Sequence, residues 1–130
     1  MLPNELLDTY SRDLKTIELS KLLQTENEVS LGGLCGNLKV IIPLSISYLK
    51  ENNHCFICAD KKEAMLYYSN LCNYLNNEKV FFFPYSNRKP YDDELINNAN
   101  VIMRTETIQH LKENKNEKIY VVTYPEGLVE

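Results

Sequence analysis

The 130-residue chain lacks the features that would mark a membrane protein, a secreted protein or a strongly basic nucleic-acid binder. No apolar run approaches the roughly 20 residues that a membrane span requires. Residues 1–5 lack the basic and apolar regions of a signal peptide, so we expect a cytoplasmic protein with no membrane partner. The formal net charge of −4 provides no overall basic field to hold DNA.

A second C-x-x-C motif, which a zinc ribbon needs, is also missing. The motif formed by Cys55 and Cys58 lies in an apolar run that predicts a strand, where residues three apart point to opposite faces. Such a pair is poorly placed to share a metal or a disulfide, so we expect reduced thiols in the core and no metal site. His54 and His110 have no nearby nucleophile arranged for catalysis.

The most informative stretch is a glycine loop with the sequence LGGLCGNLKV. A working phosphate-binding loop reads G-x-x-x-x-G-K-[ST] between a strand and a helix. Aligned on Gly33, the pattern keeps Lys39, but Leu38 replaces the second glycine and Val40 replaces the hydroxyl residue. Leucine obstructs the curl of the backbone around a phosphate, and valine has no oxygen for Mg²⁺. Together with Gly36 these residues form a degenerate P-loop, which we expect to bind no cofactor. Binding of a phosphate by Lys39 is the less favoured alternative.

A Walker-B aspartate, which holds the magnesium ion in such enzymes, is not found at the end of the last predicted strand. That strand covers residues 119–123 and runs into Tyr124 and Pro125, with no acid before Glu126. The chain itself is therefore predicted to have no catalytic residues and no ATPase activity.

The spacing of apolar residues predicts strands that alternate with helices. The predicted helices cover residues 4–24, 38–49, a segment that Asp60 caps, and 98–113; the predicted strands are 29–31, 55–59, 80–83 and 119–123. This alternation predicts an α/β fold of three layers, a mostly parallel sheet with helices on both faces. In the last helix we expect Val101, Ile102, Thr105, Ile108 and Leu111 to face inward.

The first predicted helix carries a narrow apolar stripe of Leu7, Tyr10, Leu14 and Ile17. A stripe of this spacing covers the domain or packs on a neighbour, and we take it as a candidate docking surface. Residues 1–27 are interpreted as this helix and a linker, and residues 28–130 as the α/β domain.

A small group of basic residues, Arg88, Lys89 and Arg104, suggests a DNA-binding patch. Acidic residues at 92–94 are interleaved with it and weaken its field. Ordinary surface charge is therefore the favoured interpretation.

Several segments, in this order, resemble the N-terminal domain of the bacterial transcription-repair coupling factor. They are Gly33-Leu34-Cys35-Gly36-Asn37, the strand-to-Asp60 junction, Phe83-Pro84-Tyr85, Pro90-Tyr91-Asp92 followed by Val101-Ile102, Arg104, Thr107 and Leu111, and Val121-Val122-Thr123 before Pro125. The similarity covers about residues 29–130. The chain departs from the family at Leu95-Ile96, where the family often has Ser-Pro, and at Pro43, within the helix that follows the glycine loop.

The resemblance implies a fold similar to the first lobe of UvrB, domain 1a, in a form that has lost ATPase function. It implies a parent protein that translocates on double-stranded DNA, displaces stalled RNA polymerase and recruits UvrA. The ATP and Mg²⁺ of the parent would bind in motor domains further along its chain. We expect the chain to be truncated at its C-terminus, before the inserted domain that contacts UvrA, so no UvrA site is assigned to it.

Two other interpretations remain open. The first is a stand-alone nucleotide-binding ATPase domain with a divergent P-loop. The second is a UvrB-like lobe that retains contact with damaged DNA, which the missing loop residues disfavour. An intact G-x-x-x-x-G-K-[ST] several hundred residues later in the gene would separate the coupling factor from the stand-alone domain.

Overall fold

The computed structural model describes residues 3–50, 52–75, 79–86, 98–113 and 117–129. The chain divides into two compact units, Met1–Asn52 and Asn53–Glu130. The predicted boundary between residues 27 and 28 does not coincide with this division and stays a prediction. None of the described helices is both long and apolar enough to cross a membrane.

The described part of the first unit is helical. It contains α1 (Pro3–Ser11), α2 (Leu14–Thr25) and α3 (Leu38–Tyr48). The prediction of one helix over residues 4–24 is wrong, because the chain stops being helical before Asp13. That residue is extended, and its carboxylate accepts a hydrogen bond from the Lys15 main-chain N–H at 3.3 Å. Such a side-chain cap starts a new helix instead of continuing the first one.

Helix α3 is the apolar centre of this unit and packs against both α1 and α2. Val40, Ile41 and Leu44 are buried in it. Pro43 removes one main-chain donor, yet the helix begins at Leu38 and continues through the proline, so the predicted helix is confirmed.

The short strand predicted before the glycine loop, at residues 29–31, is absent, since residues 26–37 contain neither helix nor strand. Leu31 remains 47% exposed. A strand is stabilised by hydrogen bonds to a neighbouring strand, and the described residues provide none at this segment. The loop therefore enters α3 without the strand that a P-loop requires.

The second unit contains a parallel sheet built from β1 (His54–Ile57), β2 (Val80–Phe83) and β3 (Tyr120–Thr123). The order of the strands is β1-β3-β2, so the last strand in the sequence lies in the centre. Its residue Val122 pairs with Phe56 on one side and with Phe82 on the other. Together with the helices that pack on it, this sheet confirms the predicted α/β class.

Three described helices accompany the sheet: α4 (Lys61–Tyr74), α5 (Asn98–Glu113) and the short α6 (Pro125–Leu128). The Asp60 carboxylate accepts from the Glu63 N–H at 2.8 Å, and the Glu63 carboxylate accepts from the Ala59 N–H at 2.9 Å. The first bond is a side-chain N-cap and confirms that Asp60 begins α4, and the second ties the residue before the cap to the same first turn.

Helices α4 and α5 lie on opposite faces of the sheet. On the α4 face, the Tyr68 and Phe82 rings are 5.5 Å apart. On the α5 face, the His110 ring is 4.7 Å from that of Phe81. The side chains of neighbouring residues in a strand point to opposite faces of the sheet, and Phe81 and Phe82 therefore contact different helices.

The predicted inward face of α5 is wrong for Val101, Ile102 and Thr105, whereas Ile108 and Leu111 line a cavity with Val121 of the sheet and stay partly exposed. Val101, Ile102, Ile108 and Leu111 are 37% to 56% exposed, whereas Asn100 and Thr107 are buried. Thr105, also predicted to face inward, is exposed. The buried polar side chains of this helix are hydrogen-bonded: Asn100 donates to the Tyr85 carbonyl after β2, and the Thr107 hydroxyl donates to the Met103 carbonyl of its own helix.

The predicted buried strand at residues 55–59 is shorter and more exposed than expected. Strand β1 lies at an edge of the sheet, and its residues alternate between half-buried and exposed. Cys55 is exposed, which contradicts its predicted core position, while Cys58 just beyond the strand is buried. An edge strand has one neighbour instead of two, so part of its surface stays in water.

Candidate functional site

The glycine loop keeps part of the backbone shape of a phosphate-binding loop. Gly33 has φ +76° and Gly36 has φ +58°, the left-handed conformation that glycine adopts most easily. A Cβ at either position would meet no atom within 4 Å. These glycines are therefore required for the direction of the chain, and nothing crowds them.

The first main-chain N–H groups of α3 are already engaged within the loop. The N–H of Leu38 donates to the Cys35 carbonyl at 3.2 Å. The N–H of Lys39 donates to the Gly36 carbonyl at 3.4 Å, and that of Val40 donates to the Asn37 carbonyl at 3.0 Å. In a phosphate-binding loop such groups point at the phosphate. An anion at this loop would have to displace the local carbonyls.

The side chains at the end of the loop are arranged as in the first turn of an ordinary helix and not as in a ligand site. Val40, which stands at the hydroxyl position, is 4% exposed and belongs to the packed interior of the first unit. Leu38, at the position of the second glycine, is half-buried, whereas Lys39 is exposed. A magnesium ligand cannot be provided by Val40, because it has no oxygen and its side chain is in the core.

A second site to consider is the carboxyl end of the strands, where open α/β sheets commonly bind ligands. In this protein the ends of β2 and β3 are joined by protein hydrogen bonds. The Thr123 hydroxyl donates to the Phe83 carbonyl at 2.8 Å, and the Tyr124 hydroxyl accepts from the Tyr85 N–H at 2.9 Å. The position of a Walker-B acid, just after β3, is taken by these two side chains.

Helix α5 contributes two more side chains to this corner. The Asn100 amide donates to the Tyr85 carbonyl at 2.8 Å. The Arg104 guanidinium donates through Nη1 to the Pro84 carbonyl at 2.9 Å and to the Gly127 carbonyl at 2.7 Å. Its Cζ atom also lies 4.1 Å from the centre of the Phe83 ring. Arg104 thus fastens the segment after β2 to the helix after β3.

This arrangement changes the interpretation of the basic residues. Arg88 and Lys89 lie outside the described residues, as does the Pro90-Tyr91-Asp92 motif. Arg104 is half-buried and directs its charge toward carbonyl oxygens and an aromatic face, not toward solvent. Arg104 is therefore neither part of a DNA-binding patch nor the ordinary surface charge that the sequence favoured.

The thiols of the C-x-x-C motif are held in their protonated forms. Burial, reinforced by the Glu63 and Asp60 carboxylates, raises the pKa of Cys58 to about 11. Cys55 is exposed over part of its surface, and the desolvation of the remainder raises its pKa as well. Since the thiolate is the form that ligates metals and attacks electrophiles, neither thiol is activated at neutral pH. Within the described ranges, no three side chains of His, Cys, Asp or Glu lie together as a metal-binding group.

The apolar stripe is divided between two helices. Leu7 and Tyr10 lie on α1, whereas Leu14 and Ile17 lie on α2. Leu7 is buried at 1% exposure and Leu14 is 81% exposed. Of the four, Leu14 presents the most surface to solvent, and Tyr10 and Ile17 are half-buried. Docking through this stripe stays a prediction.

The fold and the two sites define an α/β protein with a parallel sheet and with a glycine loop whose carbonyls accept hydrogen bonds from the first N–H groups of α3. Comparison with protein-family models, with curated proteins and with solved structures gives no match to this chain. The resemblance to the transcription-repair coupling factor therefore rests on the motif residues and is developed as a proposal.

Proposed function

We propose that this chain is a non-catalytic N-terminal module of a bacterial transcription-repair coupling factor, with a UvrB-like lobe whose P-loop is degenerate. The parent would be a cytoplasmic ATP-dependent translocase on double-stranded DNA that displaces stalled RNA polymerase and recruits UvrA. The module itself would scaffold the inserted UvrA-binding domain and dock on other domains of the same polypeptide to restrain the motor.

The engaged N–H groups at the start of α3 are the observation that carries the non-catalytic part of this proposal. Each of the three N–H groups donates to a carbonyl of the loop. A phosphate could accept from these groups only after those hydrogen bonds were broken. Val40 contributes to the packed interior of its unit, where it cannot take the role of the P-loop hydroxyl. Both features support a loop that persists as a structural helix start.

A calorimetric titration of the chain with ATP, with and without Mg²⁺, tests this proposal. We expect no saturable heat up to high-micromolar ATP, because the N–H groups of Leu38, Lys39 and Val40 already donate to carbonyls of the loop. Lys39→Ala should leave the titration unchanged. Lys21→Ala, which removes an exposed lysine from α2, is the matched control.

Saturable binding that requires Mg²⁺ and is abolished by Lys39→Ala but not by Lys21→Ala would overturn the non-catalytic assignment. It would favour the stand-alone ATPase domain. The coupling-factor assignment is tested separately by the gene. A downstream G-x-x-x-x-G-K-[ST] is expected, and a stop codon directly after codon 130 would contradict it.

A further inference from the structure

The outer edge of β2 carries main-chain groups that no strand of the described chain satisfies. The Thr123 carbonyl of β3 accepts from the Cys58 N–H on the β1 side, at 2.9 Å. The N–H and C=O groups of successive residues in a strand point to opposite sides. Those of the preceding residue, Val122, therefore point toward β2. Phe82 is the register partner of Val122. In a parallel pair the register partner points away, and the N–H and C=O of Phe82 therefore face the open edge.

A groove of about 680 Å³ runs along this edge between α4 and α5. Strand β2 forms its floor, Met65 and Tyr68 line its α4 wall, and Met103 and Thr107 line its α5 wall. Met65 is 54% exposed and Met103 is 37% exposed. The two walls lie on opposite faces of the sheet. A strand added at the edge would therefore place successive side chains alternately against one wall and the other.

The charges of the groove specify the occupant further. Lys61 lies in the α4 wall and Glu106 in the α5 wall. An added strand would match them with an acidic side chain toward α4 and a basic side chain toward α5. Strand β2 of a second copy, with the sequence VFFF, offers neither charge.

We propose that the β2 edge binds an extended segment of a partner protein as a fourth strand, with apolar residues that alternate between the walls, one acid facing Lys61 and one base facing Glu106. Main-chain hydrogen bonds at Phe82 would provide affinity, and the walls would provide selectivity, as in other strand-addition complexes. This inference is independent of the proposed function, because it uses the β2 edge and its two walls and nothing of the glycine loop.

The test is a fluorescence-anisotropy titration of the full chain with the peptide fluorescein-TVEVVKVT-amide, in which the fluorophore is attached to the N-terminal amine. Its charge-swapped counterpart, fluorescein-TVKVVEVT-amide, has the same composition and is the control. We expect the first peptide to bind about tenfold more tightly, because only it pairs opposite charges on both walls. The Phe82 amide should become protected from hydrogen exchange when the peptide is bound.

The double variant K61E/E106K should invert the preference between the two peptides, while Lys62→Glu, a neighbouring exposed change outside the groove, should leave it unaltered. Both positions of the double variant are on helix surfaces, and the charge swap keeps the net charge. Failure of both peptides to bind, equal binding, or binding without protection of Phe82 would overturn the proposal. Sedimentation velocity tests whether a second copy of the chain occupies the edge instead. A dimer that persists when the peptides are added would also overturn the proposal.

Discussion

Gly127 lies where the main chain of α6 comes closest to the end of β2. A Cβ at this position would lie 2.8 Å from the Phe83 carbonyl oxygen and 2.8 Å from the Thr123 hydroxyl. Both neighbours are fixed, because that hydroxyl donates to that same carbonyl. The absence of a side chain at Gly127 therefore permits the close approach of α6 to the end of β2. A larger residue at this position would force the surrounding main chain to shift.

We expect Gly127→Ala to lower the free energy of unfolding by about 1–3 kcal/mol, since it overpacks a site that cannot yield. Gly32→Ala is the control, because a Cβ there meets no atom within 4 Å and the backbone is not left-handed. That change should leave stability within about 1 kcal/mol of the original or raise it slightly. Urea unfolding followed by circular dichroism measures both. Equal midpoints for the two variants would refute the close-contact account.

At the scale of secondary-structure elements, α5 is unusual because polar side chains hold it to the sheet. Asn100 and Thr107 are buried, and Arg104 is half-buried between them on the same helix face. Asn100 and Arg104 donate to main-chain carbonyls of the segment after β2, and the Thr107 hydroxyl donates to the Met103 carbonyl. A buried polar group is tolerated only when it is hydrogen-bonded, and these donors meet that condition.

Arg104→Ala should lower the free energy of unfolding by about 1–3 kcal/mol, because two carbonyls lose their charged donor and Phe83 loses its stacking partner. Arg104→Lys should recover only part of this, since an ammonium lacks the planar face that covers the ring. Arg12→Ala is the matched control.

The Arg12 side chain is 78% exposed, and its ion pair with Asp8, at 3.0 Å, spans one helical turn on the surface. Its loss should cost no more than about 0.5 kcal/mol. If the two alanine variants unfolded at the same urea concentration, the fastening role of Arg104 would be rejected.

At the scale of the whole molecule, the docking stripe is tested within the parent protein. Leu14→Glu should hardly change the stability of this chain, because the side chain is 81% exposed and no packing is lost. In the full-length coupling factor that we propose, the same change should raise the basal ATPase rate, because it would place a charge in the contact that restrains the motor.

Gln24→Glu, an exposed position of α2 outside the stripe, provides the charge-matched control. An ATPase assay without DNA compares the variants. If the basal ATPase rate of the Leu14→Glu variant equalled that of the Gln24→Glu control, docking through Leu14 would be excluded.

Much of the fold was predictable because its signals are local. Pro84 ends β2 at the predicted residue, and the Asp60 side-chain cap begins α4 where the sequence indicates. Two errors come from weak local signals. The single helix over residues 4–24 failed because Asp13 caps a new helix, and the strand at 29–31 failed because no neighbour in the described chain pairs with it.

The candidate sites divide in the same way. The replacement of a P-loop glycine and hydroxyl is visible at Leu38 and Val40 without any structure. The corner that joins Asn100, Tyr124 and Gly127 was missed, since its hydrogen bonds connect residues 15 to 39 positions apart. No motif spans such distances.

The sequence by itself determined the α/β class, the main helices and strands after residue 37, and the replacement of the P-loop glycine and hydroxyl residues by Leu38 and Val40, because each depends on residues near one another in the chain. The tertiary structure alone decided that β3 is central, that α5 packs through a polar face, and that β2 has an edge with no neighbour among the described strands. Those features depend on which strands become neighbours, and the free energy of that choice is spread over contacts between distant residues.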